Sequence, residues 1–144
     1  MPLPGHSAFH SPLMHAASER GSRELAGLPW QAPTVPLIDG RGAQWRPLTT
    51  DSGLLSRYTL ETQVLETFDF TAMVRVALRE YAPDLIVLLG PGDALGAAAA
   101  QVIVAERWCG IDSREAFAER QASDPLLISM GRADQAASVL LPAG

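Results

Sequence analysis

The chain has 144 residues, 47% of them hydrophobic and 19% charged, the length and apolar content of one ordinary globular domain rather than of a disordered tail. Its 16 acidic residues outnumber 11 basic ones for a formal charge of −5, and every basic residue is arginine. The lack of lysine excludes Schiff-base chemistry and a P-loop lysine, and scattered arginines on an acidic chain give no footprint for nucleic acid. A single cysteine, Cys109, rules out an internal disulfide and a cysteine metal site, and points to a reducing cytoplasm. No apolar run reaches membrane-spanning length and the first residues lack a basic n-region, so the reading is a soluble, cytoplasmic protein with no membrane partner.

Taken in chain order, the sequence alternates predicted helices and strands. Pro12 suits a first helical turn, Ser11 is a candidate N-cap, and Leu13, Met14, Ala16 and Ala17 open an apolar face that runs to Leu25, weakened by Gly21. Thr34-Val35-Pro36-Leu37-Ile38 reads as a strand closed by a turn at Asp39-Gly40-Arg41-Gly42, and Pro36 puts it at a sheet edge because proline has no N–H to donate. A second helix is predicted from Asp51 to Leu65. A third runs from Thr71 to Tyr81, where Met73, Val74, Ala77, Leu78 and Tyr81 recur at helical spacing after Phe70.

The segment Asp84-Leu85-Ile86-Val87-Leu88-Leu89 has no polar alternation and ends in Gly90-Pro91-Gly92, the pattern of a strand covered on both faces in a parallel sheet. Asp93 is placed to cap an alanine-rich helix from Ala94 to Glu106. A helix from Ser113 to Gln121 and a strand from Leu126 to Ser129 complete the series, and residues 133–144 read as a loose tail after a folded region of residues 1–132.

Two motifs near the start compete for chemistry. Gly5-His6-Ser7-Ala8-Phe9 has the front of a G-x-S-x-G nucleophile elbow but puts phenylalanine where the second glycine belongs, and the strained strand-to-helix turn of an elbow has no room for that ring. Ser7 therefore reads as a loop serine, and a hydrolase built on Ser7 and His10 as a distant alternative. His6 and His15 read as surface histidines, and Cys109 as a buried small apolar residue.

The second motif, Ser7-Ala8-Phe9-His10-Ser11-Pro12-Leu13-Met14, resembles the active-site histidine motif of malonyl-CoA:acyl carrier protein transacylases and polyketide synthase acyltransferase domains. Three more blocks follow in the family's order: Trp30 to Ile38, Gln63 with Phe68 and Phe70, and Leu88 to Leu95 around Gly90-Pro91-Gly92. The resemblance covers the chain to about Ala100. It implies the C-terminal part of an α/β-hydrolase-like acyltransferase domain, a parallel sheet with flanking helices.

Carried over residue by residue, the resemblance makes His10 the general base and Gln63 the residue whose backbone carbonyl holds the other ring nitrogen, the work aspartate does in the usual triad. Phe9, just before the histidine, is implied to bind substrate and to favour malonyl over methylmalonyl, because its ring fills the space a methyl branch on the acyl α-carbon would need. The reaction implied is transfer of a malonyl group from malonyl-CoA to the phosphopantetheine thiol of acyl carrier protein in fatty-acid or polyketide synthesis, with no cofactor and no metal.

The family pattern also has departures. Asp39-Gly40 stands where asparagine is usual, Thr67 where proline is common, and Leu88 where an acidic residue often precedes Gly-Pro-Gly. The elbow serine, the malonyl-binding arginine and the oxyanion donors that the family places upstream find no counterpart in this sequence. The expectation is therefore half of an active site, acting with an upstream acyltransferase segment as partner. The alternative is a non-catalytic remnant that binds carrier protein or a partner subunit.

Overall fold

The computed structural model describes residues 7–90 and 93–139 and shows a mixed α/β chain. It divides into two compact units, Met1–Met73 and Val74–Gly144, with the division falling inside one helix. Among the described residues no helix is long and apolar enough to cross a membrane.

In the first unit a short 3-10 turn, Pro12–Met14, leads into α1, His15–Glu24. Proline opens the turn as expected, but Ser11 does not cap it: its hydroxyl donates instead to the Ala8 carbonyl at 2.6 Å and closes the loop around His10. The predicted strand shrinks to β1, Leu37–Ile38, paired antiparallel with β2, Gln44–Trp45, in a small hairpin of its own. Pro33 and Pro36 have no N–H to extend the ladder, and the turn is built around a carboxylate rather than around sheet pairing.

That carboxylate is Asp39. Its side chain is only 1% exposed, yet it accepts from the Arg41 and Ala43 backbone N–H groups, from the Arg41 guanidinium and from the Trp45 indole. Burial acts to raise its pKa, but the hydrogen bonds from Arg41 and Ala43 outweigh that and hold the carboxyl below its ordinary value of 3.8.

The predicted helix from Asp51 to Leu65 is present in three registers. Asp51 caps α2, Ser52–Arg57, by accepting from the Leu54 N–H at 2.9 Å. A π-helical stretch, Tyr58–Thr62, then widens the turn before α3, Gln63–Leu65. The Ser18 hydroxyl, buried on α1, donates to the Leu60 carbonyl inside the π-helical stretch at 2.7 Å, a satisfied polar contact where the wider turn exposes backbone. Leu55 and Tyr58 are the buried apolar members of this segment.

Helix α4, Phe70–Tyr81, begins with the Asp69 carboxylate accepting from the Ala72 N–H and ends at Ala82, whose φ of 42° precedes Pro83. It buries Val74 and Leu78, as the helical spacing predicts. In the second unit β3, Ile86–Leu88, pairs parallel with β4, Leu127–Ser129, in the register Val87 to Ile128. Between them lie α5, Leu95–Ala105, and α6, Arg114–Ser123. Helix α5 buries Ala99, Val102 and Ile103. Asp93 does not cap it through its side chain, because Ala94 already has helical backbone and only the Asp93 carbonyl is engaged, by Gly96 N–H. Ser113 does cap α6, accepting from Ala116 N–H at 3.1 Å.

Strand β4 is buried along its length, and two glutamine side chains satisfy its backbone. Gln121 accepts from the Leu126 and Leu127 N–H groups and donates to the Leu127 carbonyl, while Gln135 accepts from Ser129 N–H. Such side-chain pairing blunts a strand that would otherwise present free ladder groups. Gln135 belongs to α7, Ala133–Val139, so this part of the predicted loose tail is helical; residues 140–144 lie outside the described residues. Arg75 and Arg79 on α4 both reach Glu106 at 2.6 Å, and their hydrogen bonds hold its carboxyl below the usual range. Cys109 is exposed rather than buried: Arg107, Cys109 and Gly110 all have left-handed backbone, and the tight turn they make buries Ile111 instead.

Because the Asp39 pKa is depressed on folding, its stabilisation is present above the unfolded value and lost as pH falls through the folded one. Asp39→Ala should cost about 1–3 kcal/mol at neutral pH, since the Arg41 and Ala43 N–H groups and the Trp45 indole lose their acceptor. Urea unfolding followed by tryptophan fluorescence between about pH 6 and pH 2 should show a shallower acid loss of stability in Asp39→Asn than in the parent chain. Equal slopes would contradict this account of the turn.

Candidate functional site

The site starts from a helix end. Glu66 is extended, with φ −108° and ψ 155°, so the last intrahelical bond of α3 runs from Glu66 N–H to the Thr62 carbonyl at 2.9 Å. The next two carbonyls, of Gln63 and Val64, need donors from elsewhere. Both donors come from His10. Its ring Nδ1 lies 2.6 Å from the Gln63 carbonyl and its backbone N–H donates to the Val64 carbonyl at 2.9 Å. The structure thus brings together His10 and Gln63, 53 positions apart, through the backbone rather than through the glutamine side chain.

This geometry fixes the histidine's chemistry. A carbonyl oxygen only accepts, so Nδ1 carries a proton, and in the neutral ring the lone pair is on Nε2. Among the described residues Nε2 has no hydrogen-bond partner, and His10 is exposed. His10 itself sits at φ 64°, a left-handed conformation that costs a residue with a Cβ about 1 kcal/mol. The surrounding bonds hold it there: the Ser11 hydroxyl to the Ala8 carbonyl closes the loop, and the two contacts to the α3 end fasten it.

The ring also has aromatic neighbours. The Phe68 ring lies 5.3 Å from the imidazole, centroid to centroid, tilted by 46°, and Phe9 lies 6.4 Å away at 56°. Phe9 is 55% exposed, so it stands beside the imidazole with much of its ring open to an incoming group. Below Phe68 lies Gly40, whose N–H donates to the buried Tyr58 hydroxyl at 2.8 Å and whose carbonyl accepts from Asp69 N–H at 2.7 Å. Arg41 lies over the Tyr58 ring at 4.6 Å, and burial pushes the Tyr58 phenol above its ordinary value. Asp39-Gly40, a departure from the family pattern in the sequence, is thus the turn under the Phe68 ring.

Other predicted residues lie apart from this chemistry. Ser7 is exposed, while Gly5 and His6 lie outside the described residues. His15 is exposed and 3.7 Å from Glu19. Gly90 follows β3 with φ 97°, and Pro91 and Gly92 lie outside the described residues. Among the described residues no group of acidic, histidine or cysteine side chains could hold a metal. The sequence reading missed two participants. Val64 gives no signal in side-chain identity because only its carbonyl takes part. Gly40 carries a signal, a glycine directly after an aspartate at the strand end, but by sequence alone that signal marks only a turn.

No protein-family model, curated protein or solved structure matches the chain.

The Tyr58 hydroxyl is the acceptor for a buried N–H next to the site. Tyr58→Phe should therefore cost about 1–3 kcal/mol by leaving that N–H unpaired. It should also change the fluorescence of Trp45, whose ring lies 5.7 Å from that of Tyr58. Denaturant unfolding measures the first effect, and a variant as stable as the parent would show that the Gly40 N–H finds another partner.

Proposed function

We propose that the chain supplies the histidine half of a malonyl-transfer site, the C-terminal part of an α/β-hydrolase-like acyltransferase domain acting in cytoplasmic fatty-acid or polyketide synthesis. The observation that carries this reading is the His10 Nδ1 contact to the Gln63 carbonyl. It supplies an orienter for the imidazole without a carboxylate, as the resemblance implies, and leaves Nε2 ready to accept a proton. The parallel β3–β4 pair and the flanking helices support the finer fold without carrying it alone.

The chemistry runs in two halves. A serine on an elbow in an upstream segment gives its Oγ proton to Nε2 of His10 as the oxygen attacks the thioester carbon of malonyl-CoA. The tetrahedral intermediate collapses, the carbon–sulfur bond breaks, and the imidazolium returns the proton to the coenzyme A thiolate. In the second half Nε2 takes the proton of the carrier's phosphopantetheine thiol, the thiolate attacks the seryl ester, and the imidazolium protonates the leaving serine oxygen. Throughout, the Gln63 carbonyl accepts from Nδ1–H and keeps the imidazole in one tautomer. Phe9 stands where its ring crowds the acyl α-carbon, which suits malonyl and penalises a methyl branch. No cofactor takes part.

The test is reconstitution. Mixed with a separately produced segment bearing the elbow serine and its small subdomain, the chain should restore malonyl transfer to acyl carrier protein, read by intact mass. His10→Ala should lower that rate by about 10²-fold or more, the usual worth of a positioned base. Gln63→Ala should change it little, because the backbone carbonyl remains. Phe9→Ser should narrow the preference for malonyl-CoA over methylmalonyl-CoA. A malonyl adduct on Ser7 of the isolated chain, or transfer indifferent to His10→Ala, would overturn the reading.

A further inference from the structure

A hydrogen bond from Nδ1 fixes one point of an imidazole, yet leaves the ring free to swing about the line joining that nitrogen to its acceptor. A base also needs its second nitrogen aimed, because a small displacement at a reacting centre is costly. Among the described residues the Phe68 ring, 5.3 Å from the imidazole, supplies a face against which that swing stops. What then holds Phe68? We propose that Gly40 is a positioning residue for His10, acting through the Phe68 ring that packs into the space where Gly40 has no Cβ.

Phe68 approaches Gly40 more closely than any residue with a Cβ permits. A Cβ at Gly40 would lie 2.3 Å from Phe68 Cδ2, 2.7 Å from Cγ and 2.8 Å from Cε2. Cγ is the root of the ring, not the far end of a flexible chain, so the ring as a whole would have to move. Gly40 cannot yield in its place. Its N–H is tied to the buried Tyr58 hydroxyl and its carbonyl to Asp69 N–H. The preceding residue, Asp39, is held by backbone and side-chain donors from Arg41, Ala43 and Trp45. Nor is Gly40 required for a left-handed backbone, since the positive-φ glycines are Gly42, Gly90 and Gly110. Alanine there would therefore act through contact with Phe68 rather than through backbone strain. The proposal rests on His10 as the base of the site described above, but it concerns the ring's orientation and can be read without any turnover.

The experiment is a double-mutant cycle on the imidazole ¹⁵N signals of His10 in the full chain, assigned by their loss in His10→Gln. The parent should show the Nδ1–H tautomer. Gly40→Ala should keep that tautomer but shift and broaden the signals, as the ring samples more than one orientation, and Phe68→Ala should do so as well, because the stop is gone. In the Phe68→Ala background Gly40→Ala should add nothing further, since there is no ring left to displace. Additive shifts, or His10 signals unmoved by Phe68→Ala, would overturn the proposal. If Gly40→Ala alone does not fold, the double variant, relieved of the overlap, should fold with His10 signals like those of Phe68→Ala; a double variant that is also unfolded would show that Gly40 is required for something other than Phe68 and would count against the proposal. In the reconstituted system Gly40→Ala should lower kcat by about tenfold or more with KM little changed. Reconstituted transfer indifferent to His10→Ala, with the coupling in the ¹⁵N signals intact, would overturn the malonyl-transfer reading and leave the role of Gly40 standing.

Discussion

Two carbonyls left over at a helix end organise the first unit of this protein. Once Glu66 turns to extended backbone, the carbonyls of Gln63 and Val64 have lost their intrahelical donors, and polar backbone groups left without partners are costly. His10 answers both, one with its ring and one with its backbone. Capping of this kind does structural and chemical work at once. The bonds that satisfy the helix end also select the tautomer of the imidazole and hold His10 in a left-handed conformation it would otherwise avoid.

The rest of the unit arranges matters so that this contact is made in one geometry. A π-helical stretch precedes Gln63 and sets which carbonyls emerge at the end, and α1 fastens it through Ser18. Around a buried Asp39 carboxylate the hairpin turn becomes rigid, and beneath the Phe68 ring that rigidity matters most. At β4 the second unit completes backbone bonding with neutral amides: Gln121 of α6 and Gln135 of α7 do there what His10 does at the end of α3. In both units the local sequence leaves backbone groups unpaired, and a side chain distant in sequence or on a neighbouring helix completes them.

Much of this was legible before the fold. Helical spacing marked α4 because Val74 and Leu78 must both face a core, and the apolar run at Ile86-Val87-Leu88 marked a strand of a parallel pair, although that strand is half-buried rather than covered on both faces, with Leu85 and Leu89 exposed at its ends. The pairing of His10 with Gln63 was legible only through the resemblance, since nothing in periodicity links residues so far apart. What escaped had physical reasons. Ser11 and Asp93 look like N-caps, but a side chain caps only if its own residue is extended and the next N–H groups are free; at Ser11 the loop claimed the hydroxyl first, and Ala94 had already entered the helix. Cys109 reads as buried by residue type, but burial is decided by which way a left-handed turn points its side chains. Residues 133–139 read as a tail because the α7 helix is short and its role is to present Gln135 to a strand, which no local pattern announces.

The Gln63 carbonyl holds the His10 ring through Nδ1, and a scalar coupling through that hydrogen bond reads the contact itself. In the chain labelled with ¹⁵N-histidine and with ¹³C-carbonyl at Gln63 and Val64, two correlations should appear: His10 Nδ1 with the Gln63 carbonyl carbon, and His10 backbone nitrogen with that of Val64. A histidine protonated at Nε2, with the backbone correlation present and the ring correlation absent, would contradict the ring contact: His10 would then be a helix cap and nothing more.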